Sequence, residues 1–477
     1  MKFSKLIKFL RNIKKIKDCI WFNLIILAFP IAIYLLFQHL CSFIDYFVVG
    51  ETITTKNIKQ TISYMKQTQK FLQSIGIGLG SAGIVLVARE YKKNKKELAI
   101  KYATLSFILV LLISFLFFLF LYCGVLLPYP FCNIFLNKAY HSDGGLKYYF
   151  ITLITFVFIT INTLYISLER SKGKKKFLLI LNLIIIISKI FFSYFYKIFY
   201  GKYISVVHLA YANLWSHLII TLIAFYHMFF NFNNEFRIQL KKITFSKNII
   251  LQIIKLSMTI VIGKTTYDYG KKVILDMANS FYGKESIIMI TIGFVSLING
   301  ICYSISQSFE EAQTLMVSQS IVLKNKKETL KIFKNVLFIT FIIAIFGFLI
   351  NKFIGEKLLK IIQNGKSLSF EEKKGFTIGI FWEQTSLITS IWASLMINFI
   401  IAYTKKANIV FWINLLRINT RIFFFWTLYQ IREILEFSSY TQFGLSTFLS
   451  NFIILIIITI IFIFFLKKKD FLTKKGE

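Results

Sequence analysis

The chain has 477 residues, of which 56% are hydrophobic. The apolar residues fall in unbroken runs of roughly 20 or more, the length that crosses a bilayer's hydrocarbon core. This excludes an ordinary soluble multidomain protein, and the lack of alternation excludes a β-barrel. The net charge of +35 sits mainly on lysines between these runs, beside abundant isoleucine, phenylalanine and asparagine. That pattern reads as compositional bias rather than a nucleic-acid footprint, so no nucleic-acid partner is expected.

The first residues carry Lys2, Lys5, Lys8, Arg11, Lys14, Lys15 and Lys17 ahead of the first apolar run. That run is too long for a signal-peptide core and has no small-residue cleavage site after it, so it is expected to remain as the first span. Twelve candidate spans follow in order: 20–49, 62–87, 102–128, 147–168, 177–197, 206–230, 249–282, 286–318, 331–353, 376–403, 408–428 and 443–466. The seventh is read as the least hydrophobic. Alternate loops are densely basic: Arg89 to Lys101, Arg170 to Lys176, Arg237 to Lys247, Lys324 to Lys334 and Lys405-Lys406. Positive loops stay inside, which predicts both termini in the cytoplasm and a multi-pass protein of the plasma (inner) membrane.

The two halves repeat one another. K-N-K-K-E occurs at 93–97 and at 324–328. Asn182-Leu183 recurs as Asn414-Leu415, and Lys189-Ile190-Phe191-Phe192 as Arg421-Ile422-Phe423-Phe424. The offset stays near 231. Six spans per half is an even number, so the halves point the same way, and a transporter of that plan binds substrate between them. The expected fold is all-α and polytopic, twelve transmembrane helices in two pseudo-symmetric six-helix bundles. The first lobe is expected at 1–230, a basic linker at 231–248 and the second lobe at 249–477.

Asp45 lies inside the first apolar run, PIAIYLLFQHLCSFIDYFVVG. A charge at mid-bilayer is costly and usually faces a cavity or a partner; the alternative is hydration a turn from the helix end. Its expected counterpart in the second half is Asp268, in KTTYDYGKKVILD. Lys264, Lys271 and Lys272 lie three or four residues away on one helix face, either tuning a coupling carboxylate or simply neutralising it. Glu310, beside Glu311, is expected to line the central cavity or to sit at a hydrated span end. Glu383 is a similar case near the outer surface. Gly76, Gly78, Gly80 and Gly83 form G-x-G-x-G-x-x-G with no strand before it. This fails the dinucleotide-loop test and reads as close helix packing. The five histidines have no metal spacing, and the five cysteines show no C-x-x-C; only Cys123 and Cys132 leave room for a bridge. No nucleotide-binding lysine loop is present, so an ion gradient is the expected energy source.

The pattern P-x7-Q-x6-D-x4-G at Pro30, Gln38, Asp45 and Gly50 resembles the first span of MATE (multidrug and toxic compound extrusion) transporters of the MOP flippase superfamily. IGIGLGSAGIVLVAREYKKNKKELA at 75–99 is similar to their second span, and TLMVSQSIVLKNKKETL at 314–330 to the matching part of the second lobe. The resemblance implies a V-shaped pair of bundles exchanging organic, often cationic, compounds for Na+ or H+. It implies coupling roles for Asp45 and Asp268, and a substrate cavity that takes in Tyr34, Gln38, Lys264 and Glu310. The chain departs from the pattern in its span-seven lysines and in lacking a clear span-ten aspartate. The expected protein is thus a monomeric antiporter, not an enzyme, with the bilayer and a small organic substrate as partners. Beyond the coupling ion it needs no cofactor and no metal. The rival reading is a flippase for a lipid-linked or phosphate-bearing substrate, which the same lysines would suit.

Overall fold

Inside hydrocarbon the backbone has no partner but itself, so each apolar run closes its hydrogen bonds as a helix. The computed structural model describes residues 20–50, 56–92, 95–172, 175–238, 245–283, 287–322, 326–362, 369–404, 408–436 and 438–467. Twelve long helices run through it. In the first half they are α1 (Ile20–Gly50), α2 (Lys56–Lys92), α3 (Lys96–Val125), α4 (Leu146–Ser171), α5 (Lys175–Tyr200) and α6 (Val206–Phe225). In the second they are α7 (Lys247–Tyr282), α8 (Ile287–Val322), α9 (Lys326–Ile362), α10 (Phe370–Thr404), α11 (Asn408–Gln430) and α12 (Ser439–Lys467). Local chemistry sets several ends. The Ser205 N–H donates to His208 Nδ1 at 2.9 Å in a capping box that starts α6, which gives this histidine a structural role. Gly283, at φ +78°, stops α7, in the left-handed region where glycine costs least.

Helices α3 to α12 are all long and apolar enough to cross a membrane. Phe120, Ile187, Ile198 and Phe464 project outward from them, as a lipid-facing surface requires. The sequence reading took the seventh span as the least hydrophobic, yet α7 is among the helices apolar enough to span. The first half of α2 reads KNIKQTISYMKQTQK. It tolerates this because α4 and α7 pack along it, so Gln60, Thr61 and Ser63 are buried in protein rather than lipid.

The packing repeats. α2 lies on α4 as α8 lies on α10, α4 on α6 as α10 on α12, and α5 on α6 as α11 on α12. The first helix of each half is exchanged. α1 leans on α8 and α9 as well as on α5 of its own half, and α7 leans on α2 and α3 as well as on α11 of its own half. Leu24 and Ala28 of α1 share a core with Ile332 and Val336, while Ile249 and Ile253 of α7 join the core of the first half. Gly78 permits the second exchange. A Cβ there would stand 2.8 Å from the Val261 Cα, whereas Gly76 and Gly80 face Thr160 and Thr163 of α4. The glycine run therefore packs two neighbours at once.

Equivalent helix ends lie at a nearly constant separation. Lys56 and Ile287 start α2 and α8, 231 apart, and Gly50 and Tyr282 end α1 and α7, 232 apart. At this register the counterpart of Asp45 is Asp276, not Asp268 as the linear reading had it.

At the end of the bundle away from the described termini, the halves are bonded together. Lys272, 1% exposed, donates to the carbonyls of Asn133 (3.2 Å) and Ile134 (3.3 Å) and pairs with Asp276 at 2.9 Å. Asn137 donates to Asp276 Oδ1 at 3.0 Å, and Tyr140 donates to Asn279 at 3.4 Å. Lys272 is thus turned away from Asp268, contrary to the expected four-residue face. The possible bridge between Cys123 and Cys132 is not formed; both are free. The expected linker lies partly outside the described residues. Its start folds back, burying Asn234 and Phe236, with Arg237 Nε donating to the Phe229 carbonyl at 2.9 Å.

Candidate functional site

Three elements of the first half converge on Asp45, which is 4% exposed. Lys189 of α5 reaches its Oδ2 at 3.0 Å and Lys66 of α2 reaches the same oxygen at 3.4 Å. Its other oxygen, Oδ1, is buried without a hydrogen-bond partner among the described residues. Lys66 also lies 4.4 Å from the centre of the Tyr46 ring, and Tyr46 is bonded to Ser63 at 3.1 Å. The carboxylate is therefore a shared anion between two cations, held in place from both sides. Such a buried group is stabilised only while its partners stay.

One turn further along α2, Lys70 is exposed. Its charge reaches Asp268, Lys271 and Glu383 of the second half. The adjacent Gln67 donates to the Asp268 carbonyl at 3.3 Å, and Phe71 meets Tyr269 with ring centres 5.4 Å apart. Between α1, α2, α7 and α8 a cavity of about 60 Å³ is lined by His39, Tyr46, Lys66, Lys70, Gly293 and Ser296. That volume holds a few waters, not an organic solute. His39 bonds to the Leu297 carbonyl across it.

In the second half Asp268 lies 4.0 Å from Lys271, with Lys264 exposed nearby. Tyr267 has Lys271 4.2 Å and Arg417 5.6 Å from its ring centre. Glu310 is buried in the core of this half, where Asn398 of α10 donates to its Oε2 at 3.3 Å. Glu383 accepts from Asn299 at 3.5 Å, placing it in a polar seam between α8 and α10 rather than at a surface. Tyr34 and Gln38 belong to α1, but their side chains lie outside the described residues.

Asp45 and Asp268 thus occupy separate clusters, joined by the α2 lysines. Lys66, Lys189, Arg417 and Arg421 were not singled out in the sequence, although each is a charge within a span. Lys189 and Arg421 stood in plain view as matching positions of the repeat. Among the described residues no group of histidine, cysteine and acidic side chains could hold a metal ion.

The MatE family model matches residues 30–195, which include Asp45, Lys66 and Lys189. Over the whole length, a multidrug-resistance MATE transporter of the MOP superfamily in its inward-facing conformation superposes with a TM-score of 0.73. Identity is 12%, with 93% of this chain and 99% of that one covered. The chain has the MATE fold. The outward-facing form of such a transporter gives a TM-score of 0.72 at 14% identity, covering 93% of this chain and 95% of that one. A MOP superfamily transporter from Pyrococcus furiosus Vc1 (DSM3638), whose reversed pocket polarity was taken to suggest a different function, gives 0.74 at 15% identity, covering 94% and 97%. No curated protein sequence matches the chain. In the MATE fold the exchanged α1 and α7 belong to two pseudo-symmetric lobes, so the Asp45 cluster lies in the first lobe and the Tyr267–Arg417 cluster in the second. The chain is a multi-pass membrane protein with a multidrug-transporter fold.

Proposed function

We propose that this protein is a secondary active transporter that carries an organic solute across the plasma membrane by alternating access, with Asp45 as its ion-sensing group. The observation that carries this reading is the Asp45–Lys66–Lys189 cluster, buried beside the lobe interface with one carboxylate oxygen bare. A proton on Oδ1 cancels the charge that holds both lysines. Na+ fits less well, because two fixed cations already stand against the carboxylate. Each ligand must favour one conformation to drive transport, and the lysines come from different helices, so releasing them changes how α1, α2 and α5 pack. The basic loops favour cytoplasmic termini.

The charge of the solute sets the sign of coupling. An organic cation competes with the proton for Asp45 and is exchanged for it, as the family likeness implies. An organic anion takes the lysines that protonation frees, and travels with the proton. The second case is favoured here because Asp45 already carries two lysines and offers no free negative charge. The reversed polarity described for the Pyrococcus furiosus relative is a parallel.

The test uses proteoliposomes under an imposed pH or Na+ gradient. Two probes are loaded, ethidium and carboxyfluorescein, and the distance between labels at exposed positions 129 and 280 is followed. Gradient-dependent movement in wild type, lost in Asp45→Asn, is expected, with carboxyfluorescein moving along with protons. Flux and distance indifferent to both gradients would overturn the proposal.

A further inference from the structure

We infer that Arg417 and Arg421, with Tyr267, form the seat for an oxyanion, a carboxylate or phosphate, borne by the transported solute. This rests on the transporter reading above and adds the substrate's chemical class. Arg417 and Arg421 are one turn apart on α11 and only 5% and 7% exposed. Nε and Nη2 of Arg417 and Nε of Arg421 are buried without a hydrogen-bond partner among the described residues. An unpaired buried guanidinium costs several kcal/mol on general grounds, so two on one face call for a partner. The five N–H groups of each fork match a carboxylate or phosphate in paired geometry.

The nearby acids do not fill that role. The charge of Glu310 reaches Arg417, but its Oε1 is itself buried without a partner and no ion pair joins the two side chains among the described residues. Glu383 reaches Arg421, but is bonded to Asn299. The internal repeat shows which acid is missing. In the first lobe Lys189 pairs with Asp45. Arg421 stands at the position of Lys189, 232 residues on, and Asp276 at that of Asp45, 231 residues on. Asp276, however, is drawn away by Lys272 and Asn137 at the lobe junction. The second lobe therefore keeps the cation and has moved the anion elsewhere.

α11 packs on α7 and α12 but barely touches α8 or α10. Tyr303, 38% exposed on α8, lies within electrostatic reach of both Arg417 and Tyr267. Tyr267 and the Phe443 ring, 5.1 Å from Arg421, offer flat apolar faces to the remainder of the solute. A few polar groups set among aromatic walls is the usual make-up of a small-molecule site.

The test titrates full-length protein in phosphatidylcholine nanodiscs with phenyl phosphate by calorimetry, using tetraphenylphosphonium for comparison. Phenyl phosphate is expected to bind saturably and tetraphenylphosphonium not at all. Arg417→Gln and Arg421→Gln each weaken phenyl phosphate at least tenfold, Arg417→Lys keeps part of the affinity, and the exposed Lys352→Gln changes nothing. A second arm adds phosphatidylglycerol to the nanodisc. If that lipid occupies the site in an arginine-dependent way while phenyl phosphate does not, the oxyanion is a lipid headgroup. Binding of neither, or equal affinity in the glutamine variants, overturns the inference. The gradient-driven change in label distance, read on the same protein, separates that result from a failure of the transporter reading. Each single variant is checked for wild-type thermal unfolding, and Arg417→Lys covers the case of a glutamine variant that does not fold.

Discussion

Lys189, in the middle of α5, reaches across the first lobe to within 3.0 Å of Asp45 on α1. Because Lys66 shares the same oxygen, the three charges are not equivalent to remove. Asp45→Asn leaves two lysines facing each other without an anion, whereas Lys189→Met leaves a simple pair. Breaking a buried pair by deleting one partner costs about 3–5 kcal/mol. Unfolding in micelles should show Asp45→Asn as the more destabilised variant, with Asp45→Leu/Lys189→Met partly restored. Equal losses in the two single variants would rule out the shared-anion arrangement.

Lys272 holds the lobes together at the junction. Replacing it with methionine removes its bonds to the Asn133 and Ile134 carbonyls and strips Asp276 of its cation. Spin labels at positions 129 and 280 should report a longer, broader distance distribution in Lys272→Met. An unchanged distribution would mean that this end is held by something other than the lysine.

Gly78 is a point of close backbone approach between α2 and α7. Gly78→Val places a Cβ only 2.8 Å from Val261 Cα, and overpacking of this kind costs about 1–3 kcal/mol. Gly263→Ala is the control, since its nearest neighbour, Val410, is 3.4 Å away. Thermal unfolding should fall for the first and hold for the second. If both behave alike, the glycine is not needed for the contact.

Cys123 is exposed while Cys41 and Cys302 are buried. A membrane-permeant maleimide should label Cys123 in the folded protein without prior reduction. If mass spectrometry finds it bridged to Cys132 instead, the outer loop is arranged differently.

Helix number, the duplication and the glycine packing were legible in the sequence, because length, offset and small-residue spacing are local properties. The exchange of α1 and α7 was not, since an apolar run announces a span but not which neighbour will cover it. The pairing of Asp45 with Asp268 failed for a related reason. Sequence distance drifts wherever a loop differs in length, and only the helix ends restored the register to Asp276. The lysines and arginines of the site were masked by composition. In a chain so rich in lysine, Lys66 and Lys189 looked like background, yet the rule that marked Asp45, a charge inside a span, applied equally to Lys189, Arg417 and Arg421. Asp45 was singled out in the sequence without its two cations, which change what it can bind.

The exchanged first helices also bear on synthesis. α1 leaves the ribosome long before α8 and α9, against which Leu24 and Ala28 are buried. Domains generally fold in order as the chain emerges, but here the opening helix, although it meets α5 in its own half, cannot bury Leu24 and Ala28 until the second half is inserted. A fragment stopped after α6 would lack that shelter, so neither half should mature alone, and co-expressed halves should rescue each other.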